Sequence, residues 1–452
     1  MADASSNEPG PGPFPGGLDG PRSDRRRFLA CAALLFLVTA ARLPRTFLHS
    51  SFWAEDGTYF FREAIEDGGA TLWRPVIGAY QTLPRIVAWL ATFLPVQWAP
   101  ALFALGAGLL ASASLAVFSR AGFRWLVPDD RVRLFLCLLF SLAPGMGESF
   151  FALCTVNYVL FAGVLMLLLE RDAAGRWSMG LRRALLVAFL WLSVAQGSVL
   201  VLPLLCLFFA TRNRNYLVCL ATLAASIALN LAAPNEARPA VPPPPLDALA
   251  DVYLHNSFMR LVYLPLLGLR GLAPVTEMSQ TAFLLLSTAL LVLCLGLMGR
   301  AGRVDAAGAT VLGAIVASAL ALFPVTALVR FYGLAMLWRP SLAFSTRYDV
   351  APSILVLILA WTWLHPPGRA GGRRLARYAL LAWLTTNVMV EPLFRAPEPF
   401  LPFAWEWPGQ AAAIEAALAA KRAGRLREPV TIRDIRCQPP SYTPRAHVRI
   451  SP

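Results

Sequence analysis

The residues best suited to chemistry are two adjacent carboxylates, Glu55 and Asp56, in the segment Ser51-Phe-Trp-Ala-Glu-Asp-Gly-Thr-Tyr-Phe-Phe-Arg-Glu-Ala-Ile65. Apolar residues recur at helical spacing after the pair, which predicts a helix along a membrane surface with its N-terminus beside the acids. Paired carboxylates flanked by Trp53 and Tyr59 could supply a general base close to a bilayer. The alternative is an interfacial helix in which Asp56 is only the N-cap.

Two polar side chains interrupt the apolar pattern farther along the chain. Glu148 lies in Pro144-Gly-Met-Gly-Glu-Ser149, and Asn157 follows in Thr155-Val-Asn-Tyr158. An acid and an amide that enter an apolar layer are costly unless they face a polar cavity, so a substrate pocket is one interpretation. The other is a Gly-rich hairpin with a solvated Glu148 and an Asn157 that packs between helices.

A group of arginines near the C-terminal end could bind an anion. The predicted topology places one loop outside the membrane, where arginine is disfavoured. This loop contains Arg339 and, farther along, the adjacent pair Arg347-Tyr348. A phosphate is the natural partner, because a guanidinium can bond two of its oxygens at once. Pairing with acids of the first loop is the competing explanation, and Arg85 fits either role.

The composition indicates what kind of protein must position these residues. Of the 452 residues, 57% are hydrophobic and only 15% are charged, whereas a soluble protein has roughly 25% charged residues. The net charge of +14 could suggest a nucleic-acid partner, but the arginines form short clusters between apolar runs, as membrane topology requires. We therefore expect an all-α, polytopic membrane protein that binds no nucleic acid.

Apolar runs predict about eleven membrane-spanning helices, give or take about two, since crossing ~30 Å of hydrocarbon takes about 20 residues. Three of these runs are short and could be thin spans or halves of broken ones. The predicted spans are Phe28–Leu43, Trp98–Phe118, Val132–Leu142, Phe151–Leu169, Leu185–Ala195, Val199–Phe209, Tyr216–Ala232, Phe283–Met298, Thr310–Leu328, Val350–Trp363 and Tyr378–Val390.

Every second loop is rich in arginine, which orients the predicted helices. Residues 1–24 form a disordered cytoplasmic N-terminus, residues 25–393 the membrane domain, and residues 394–452 an outer tail. The first outer loop spans residues 44–97. The acid pair, Glu148, the late arginines and a further polar turn, Ser193-Val-Ala-Gln-Gly-Ser198, all fall on the outer side, under a topology assigned without them.

Taken together, these features resemble the GT-C class of membrane glycosyltransferases, which take a sugar from a polyprenyl-phosphate carrier at the outer membrane face. Two features depart from that class: the turn at Gln196 is a weak version of its motif, and no folded outer domain is recognisable in the tail. The stretches that carry the resemblance are Phe52-Trp-Ala-Glu-Asp-Gly57, Leu83-Pro-Arg85, Gly147-Glu148, Thr155-Val-Asn157, Gln196-Gly-Ser198, Arg347-Tyr348 and Trp407-Pro-Gly-Gln-Ala-Ala-Ala-Ile-Glu415.

The resemblance implies a role for each candidate residue. Glu55 or Asp56 would deprotonate an acceptor hydroxyl, and in-line attack would invert the anomeric centre. The carrier phosphate would be held by Arg347, with Arg339 or Arg85. Glu148 and Asn157 would line the sugar pocket, and the remaining substrate-binding candidates are Tyr59, Gln196 and Tyr348.

The implied partners are a polyprenyl-phosphate-linked sugar donor, the lipid bilayer and a glycan or lipid acceptor. No D-x-D motif occurs in the first loop, so no cofactor is required, although a divalent metal is compatible with the sequence. The expected setting is a bacterial inner membrane and cell-envelope glycan synthesis. The alternatives are a transporter or flippase of lipid-linked sugars, a polymerase or ligase of surface polysaccharide, and an inactive structural subunit.

Overall fold

Most of the N-terminal half and the tail can be followed residue by residue. The computed structural model describes residues 21–42, 44, 52–53, 55–76, 80–142, 146–172, 176–177, 179–194, 199–232, 407–435 and 446–451, with isolated positions between 281 and 358. The chain is mostly helical, which confirms that part of the predicted fold class.

The helices follow one another with short connections. The first loop contains a π-helical turn, Asp56–Phe61, and 3₁₀ turns at Gly68–Trp73 and Val96–Trp98. Within the described residues up to 232, the α-helices are α1 (Pro21–Arg42), α2 (Arg62–Asp67), α3 (Thr82–Ala91), α4 (Ala99–Ala116), α5 (Asp130–Ser141), α6 (Met146–Phe151), α7 (Val156–Leu169), α8 (Leu181–Trp191), α9 (Val201–Thr211) and α10 (Asn215–Ala232).

Local sequence signals explain where several helices begin. Pro21 opens α1, where a missing N–H costs nothing, and Asp24 places a negative charge in its positive first turn. Asp129 caps α5 by accepting a hydrogen bond of 2.8 Å from the Arg131 N–H. The predicted disordered segment 1–24 lies outside the described residues, except for 21–24, which form the first turn of α1.

The first seven predicted spans coincide with helices, with one correction. The predicted span Phe151–Leu169 is broken: the chain turns at residues 152–155, and α7 begins only at Val156. The predicted spans Phe283–Met298, Thr310–Leu328, Val350–Trp363 and Tyr378–Val390 lie outside the described residues, apart from isolated positions.

Several described helices are shorter than the hydrocarbon core of a bilayer is thick. Within it, the helix Val96–Ser119 (α4 and its flanking turns) is the one long and apolar enough to cross a bilayer. Helices α5, α8 and α9 have 12, 11 and 11 residues, so each is about 17–18 Å long against a ~30 Å core. The described helices thus do not by themselves support the predicted count of spans.

Small residues on α4 allow the neighbouring helices to approach closely. A Cβ atom at Gly163 of α7 would lie 2.9 Å from the Cβ of Ser114 on α4. A Cβ at Gly108 would similarly lie 3.0 Å from the ring of Phe36 on α1. Helix α4 therefore packs between α1 and α7 and forms the centre of the described helices.

The arginine-rich end of these helices is held together by ion pairs. Arg120 lies 3.3 Å from Asp24 and 3.0 Å from Glu170, and Arg183 lies 3.1 Å from Glu170. Arg27 lies 2.8 Å from Asp130. All of these residues come from segments predicted to be cytoplasmic, so the structure gathers those segments at one end.

The tail forms a small folded unit, which corrects one prediction. The stretch that begins at Trp407 forms helix α11 (Trp407–Arg422), and it is followed by strands β1 (Val430–Ile435) and β2 (Ala446–Ile450). The strands pair antiparallel, with Val430 opposite Ile450. The predicted all-α class is therefore incomplete.

Substitution of Glu170 by Ala should destabilise the chain by about 2–3 kcal/mol, because it leaves Arg120 and Arg183 without their shared buried carboxylate. We place the effect below the usual range for a buried pair because Arg120 is partly exposed. Chemical unfolding in detergent measures it. The control is Asp172→Ala, which removes an exposed pair to Arg176 and should cost under about 0.5 kcal/mol. Equal losses in both variants would contradict the role of Glu170.

Candidate functional site

The carboxylate of Asp56 joins the first loop to the turn between α6 and α7. Its side chain is only 1% exposed. One oxygen accepts a hydrogen bond of 3.0 Å from the Leu153 N–H, and the other accepts one of 2.8 Å from the Cys154 N–H. Asp56 does not cap its own helical turn, so the interpretation of this residue as a simple N-cap is wrong.

Burial raises the pKa of Asp56 from 3.8 to about 8. The two backbone N–H groups act in the opposite direction, because they stabilise the ionised form, and the neighbouring Glu55 adds to the rise. The native state therefore binds a proton at Asp56 over a pH range in which the unfolded chain has already released it.

Glu55 differs from Asp56 in its surroundings. It directly precedes the π-helical turn, its side chain is half-buried, and within the described part of the chain its carboxylate makes no hydrogen bond or ion pair. A general base must reach the proton that it removes. Of the two acids, only Glu55 has a carboxylate that meets this condition without breaking an existing contact.

Tyr59 lies one turn after Glu55 and is half-buried. The guanidinium of Arg62 lies 5.8 Å from the centre of its ring. The ring is therefore placed on the same helical turn as the acid pair, as the spacing predicted. The π-helical form of this turn widens it by one residue, a feature found frequently at functional sites.

Arg85 is engaged inside the first loop. It is fully buried, lies 2.8 Å from Glu63 and donates a hydrogen bond to the Thr71 hydroxyl. Its guanidinium also lies 5.6 Å from the centre of the Phe60 ring. Of the two roles that the sequence left open, the structure shows the pairing with an acid of the first loop. The role of Arg85 toward a carrier phosphate stays a prediction.

Asn157 lies in the first turn of α7, close in sequence to the two N–H groups that bind Asp56. Its side chain is 1% exposed, and neither its amide nitrogen nor its amide oxygen makes a hydrogen bond within the described residues. The hydroxyl of Ser149 on α6 is also buried and without a hydrogen bond there. Buried polar groups in native proteins are usually paired, so this turn has unused hydrogen-bonding capacity.

The first loop also meets the turn that follows α8. The Thr82 N–H and hydroxyl donate to the Leu192 carbonyl at 3.3 and 3.2 Å. The Leu83 N–H donates to the Ser193 hydroxyl at 2.7 Å. The start of α3 is therefore fixed to the beginning of the polar turn that starts at Ser193.

Three of the four predicted polar elements thus meet around the first loop. The remaining candidates cannot be placed: Gln196, Arg339, Arg347 and Tyr348 lie outside the described residues, and Glu148 belongs to α6 but its side chain lies outside the described part. Among the residues described, no group of three metal-ligating side chains is arranged to hold a metal ion.

Several residues that shape this site were not among those predicted from the sequence. The N–H groups of Leu153 and Cys154 carry no side-chain signal, so a sequence pattern could not reveal them. Glu63 and Thr71 were missed as partners of Arg85, although Glu63 stands in a loop already known to contain Arg85. Its position one turn after Tyr59 is the one signal that could have indicated an inward-facing acid.

Comparisons of the whole chain with protein families, with curated proteins and with solved structures find no match.

Substitution of Asp56 by Asn should change how stability depends on pH. Because the folded pKa is above the unfolded value, Asp56 contributes stability below about pH 4 that is lost as the pH rises toward 8. The unfolding free energy of the variant, relative to the natural chain, should rise between pH 4.5 and 8.5. Chemical unfolding at several pH values measures this difference. A constant difference across the range would contradict a buried, proton-binding Asp56.

Proposed function

We propose that the chain is a membrane glycosyltransferase of the GT-C type that moves a sugar from a polyprenyl-phosphate carrier to an acceptor hydroxyl. The observation that carries the proposal is the difference in contacts between the two acids of the pair. Asp56 is fixed by two backbone N–H groups, while the adjacent Glu55 is accessible and unpaired within the described residues. A rigid support beside an accessible carboxylate is the arrangement that general-base catalysis requires.

The surface of the described helices supports a membrane setting. Large apolar side chains are exposed on α1, α4, α8, α9 and α10, and a soluble protein rarely exposes so many. They include Leu37, Leu109, Leu185, Phe209 and Leu229. Lipid contact would remove this cost, so we propose that these helices belong to a polytopic membrane domain of about eleven spans.

The first loop also has an exposed apolar ridge (Leu90, Phe93, Leu94 and Trp98). Residues 56–65 are largely buried, whereas Leu90, Phe93, Leu94 and Trp98 are exposed at the end of α3 and the following turn. Aromatic and aliphatic side chains of this kind favour the boundary between lipid and water. We propose that this ridge, rather than the helix after the acid pair, lies on the membrane surface.

The proposed reaction uses Glu55 as the general base. As the acceptor oxygen forms a bond to the anomeric carbon, Glu55 takes its proton, and the bond from that carbon to the phosphate oxygen breaks. The electron pair leaves with the polyprenyl phosphate, and attack from the opposite face inverts the anomeric centre. From the family resemblance, Arg347 and Arg339 would stabilise the departing phosphate.

The proposed setting is a bacterial inner membrane, with the acid pair on the extracytoplasmic face. The arginine-rich end and the first loop lie at opposite ends of α4, whose 18 residues span about 27 Å. This separation supports an orientation in which the arginines are cytoplasmic and the acids are outside. The described ionisable residues gather at the two ends rather than midway, which favours an enzyme over a transporter.

Substitution of Glu55 by Gln should lower turnover by about 100- to 10,000-fold, because the amide cannot accept the acceptor's proton. The assay is sugar transfer from a panel of polyprenyl-phosphate sugars by the purified chain in lipid. Carrier binding should survive the substitution. The control is Glu428→Gln, which changes an exposed acid in the tail. Full turnover in Glu55→Gln would reject the assigned base.

Substitution of Arg347 by Ala should weaken binding of the carrier about 10- to 100-fold, because it removes charge-assisted hydrogen bonds to the phosphate. Binding of a fluorescent polyprenyl phosphate to the purified chain measures the change. Arg427→Ala, at an exposed tail position, is the matched control. An unchanged dissociation constant for Arg347→Ala would remove this residue from the proposed phosphate site.

A further inference from the structure

The folded tail lies directly on the first loop. The Glu415 carboxylate accepts a hydrogen bond of 2.7 Å from the Val96 N–H, and the Trp407 indole N–H donates one of 2.9 Å to the Gln97 carbonyl. Helix α11 is therefore attached at two points to the turn that joins the first loop to α4.

Trp407 also enters a cluster of aromatic rings, here called the aromatic cluster (Phe52, Phe61, Phe103 and Trp407). Its ring packs edge-on against Phe52 at 4.9 Å and against Phe61 at 5.5 Å. Phe52 and Phe61 are themselves 4.7 Å apart, and Phe103 of α4 packs against both of them. All four side chains are buried.

The positions of these rings in the sequence give the cluster its significance. Phe52 comes three residues before Glu55, and Phe61 ends the π-helical turn that begins at Asp56. The cluster therefore holds both ends of the segment that carries the acid pair. Trp407 makes two edge-on ring contacts in the cluster, so it is a substantial part of this support.

The hairpin of the tail makes a third attachment. The Arg449 N–H donates a hydrogen bond of 2.6 Å to the Glu66 carboxylate at the end of α2. Strand β2 packs against α2 and against the π-helical turn. The tail therefore contacts the loop both before and after the acid pair.

We infer that the tail positions the acid pair, and that Trp407 is the positioning residue through which it does so. The inference rests on the proposed function for its catalytic part, because the position of Glu55 matters to turnover only if Glu55 is the base. Its structural part depends only on the contacts. Without Trp407, the segment that carries the acid pair loses these ring contacts and opens more often.

Two measurements on the full chain in lipid test the inference. The first is the rate of trypsin cleavage at Arg62, a partly buried site within the supported segment. Trp407→Ala should raise this rate about tenfold or more, because cleavage requires local opening. Trp407→Phe keeps the ring and should stay near the natural rate. The matched control Trp73→Ala, at a tryptophan that is 75% exposed on the same loop, should leave the rate unchanged.

The second measurement is steady-state kinetics per folded protein. Trp407→Ala should lower kcat about 100-fold with little change in KM, since a displacement of about 1 Å in a catalytic group can cost that much. Trp407→Phe should restore most of kcat. A purely structural role would lower the yield of folded protein and leave kcat unchanged, which would overturn the catalytic part.

The two readouts separate the inference from the proposed function. If no sugar is transferred by the natural chain, the proposed function fails, and the cleavage rate still decides whether Trp407 holds the loop. If cleavage at Arg62 is the same in Trp407→Ala and Trp73→Ala, the positioning role is wrong whatever the activity.

Discussion

The contact on which the rest of the site depends is the one between the Asp56 carboxylate and two backbone N–H groups. A carboxylate removed from water is costly unless hydrogen bonds replace those it loses. The turn at residues 152–155 supplies them, because the Leu153 and Cys154 N–H groups lie before the start of α7. The break between α6 and α7 therefore leaves two backbone N–H groups free to donate to Asp56, at the place where the first loop contacts the helices.

The contact of Asp56 also constrains the positions of the neighbouring residues in the first loop. Within the described residues Glu55 makes no such contact, and the π-helical turn carries Phe60 and Phe61 into the core. The Glu63–Arg85 pair then links the turn to α3 from within the loop. The tail packs against the first loop through the aromatic cluster. The first loop is thus supported by a backbone turn, a buried ion pair and a separate folded unit.

The sequence predicted well the elements that depend on local patterns. Apolar runs predicted the helices α1, α4, α5 and α8–α10. The arginine clusters predicted that the loops between them lie at one common end of the helices. Neither the break in the predicted span at 151–169 nor the donors for Asp56 could be predicted, because backbone N–H groups leave no trace in residue type. The strand pair was missed because the alternation of Val430 with Ile432, and of Val448 with Ile450, extends over too few residues to stand out.

The role of Arg85 shows why a residue type alone cannot assign a ligand. A guanidinium binds a phosphate and a carboxylate with the same geometry, so the sequence left both partners open. In the structure Glu63 pairs with Arg85 inside the loop, so we assign the proposed phosphate site to arginines later in the chain. The apolar surface of the helices and the two separated ends support the proposed enzyme at one face of a membrane.

The most direct test of the Asp56 contact is amide hydrogen exchange at Leu153 and Cys154 in the full chain, resolved by fragmentation of the peptide that contains them. We expect both amides to exchange slowly in the natural chain and at least about tenfold faster in Asp56→Ala, while amides in the middle of α4 keep their rates. Fast exchange at both positions in the natural chain, or rates that ignore the substitution, would mean that the carboxylate does not hold this turn.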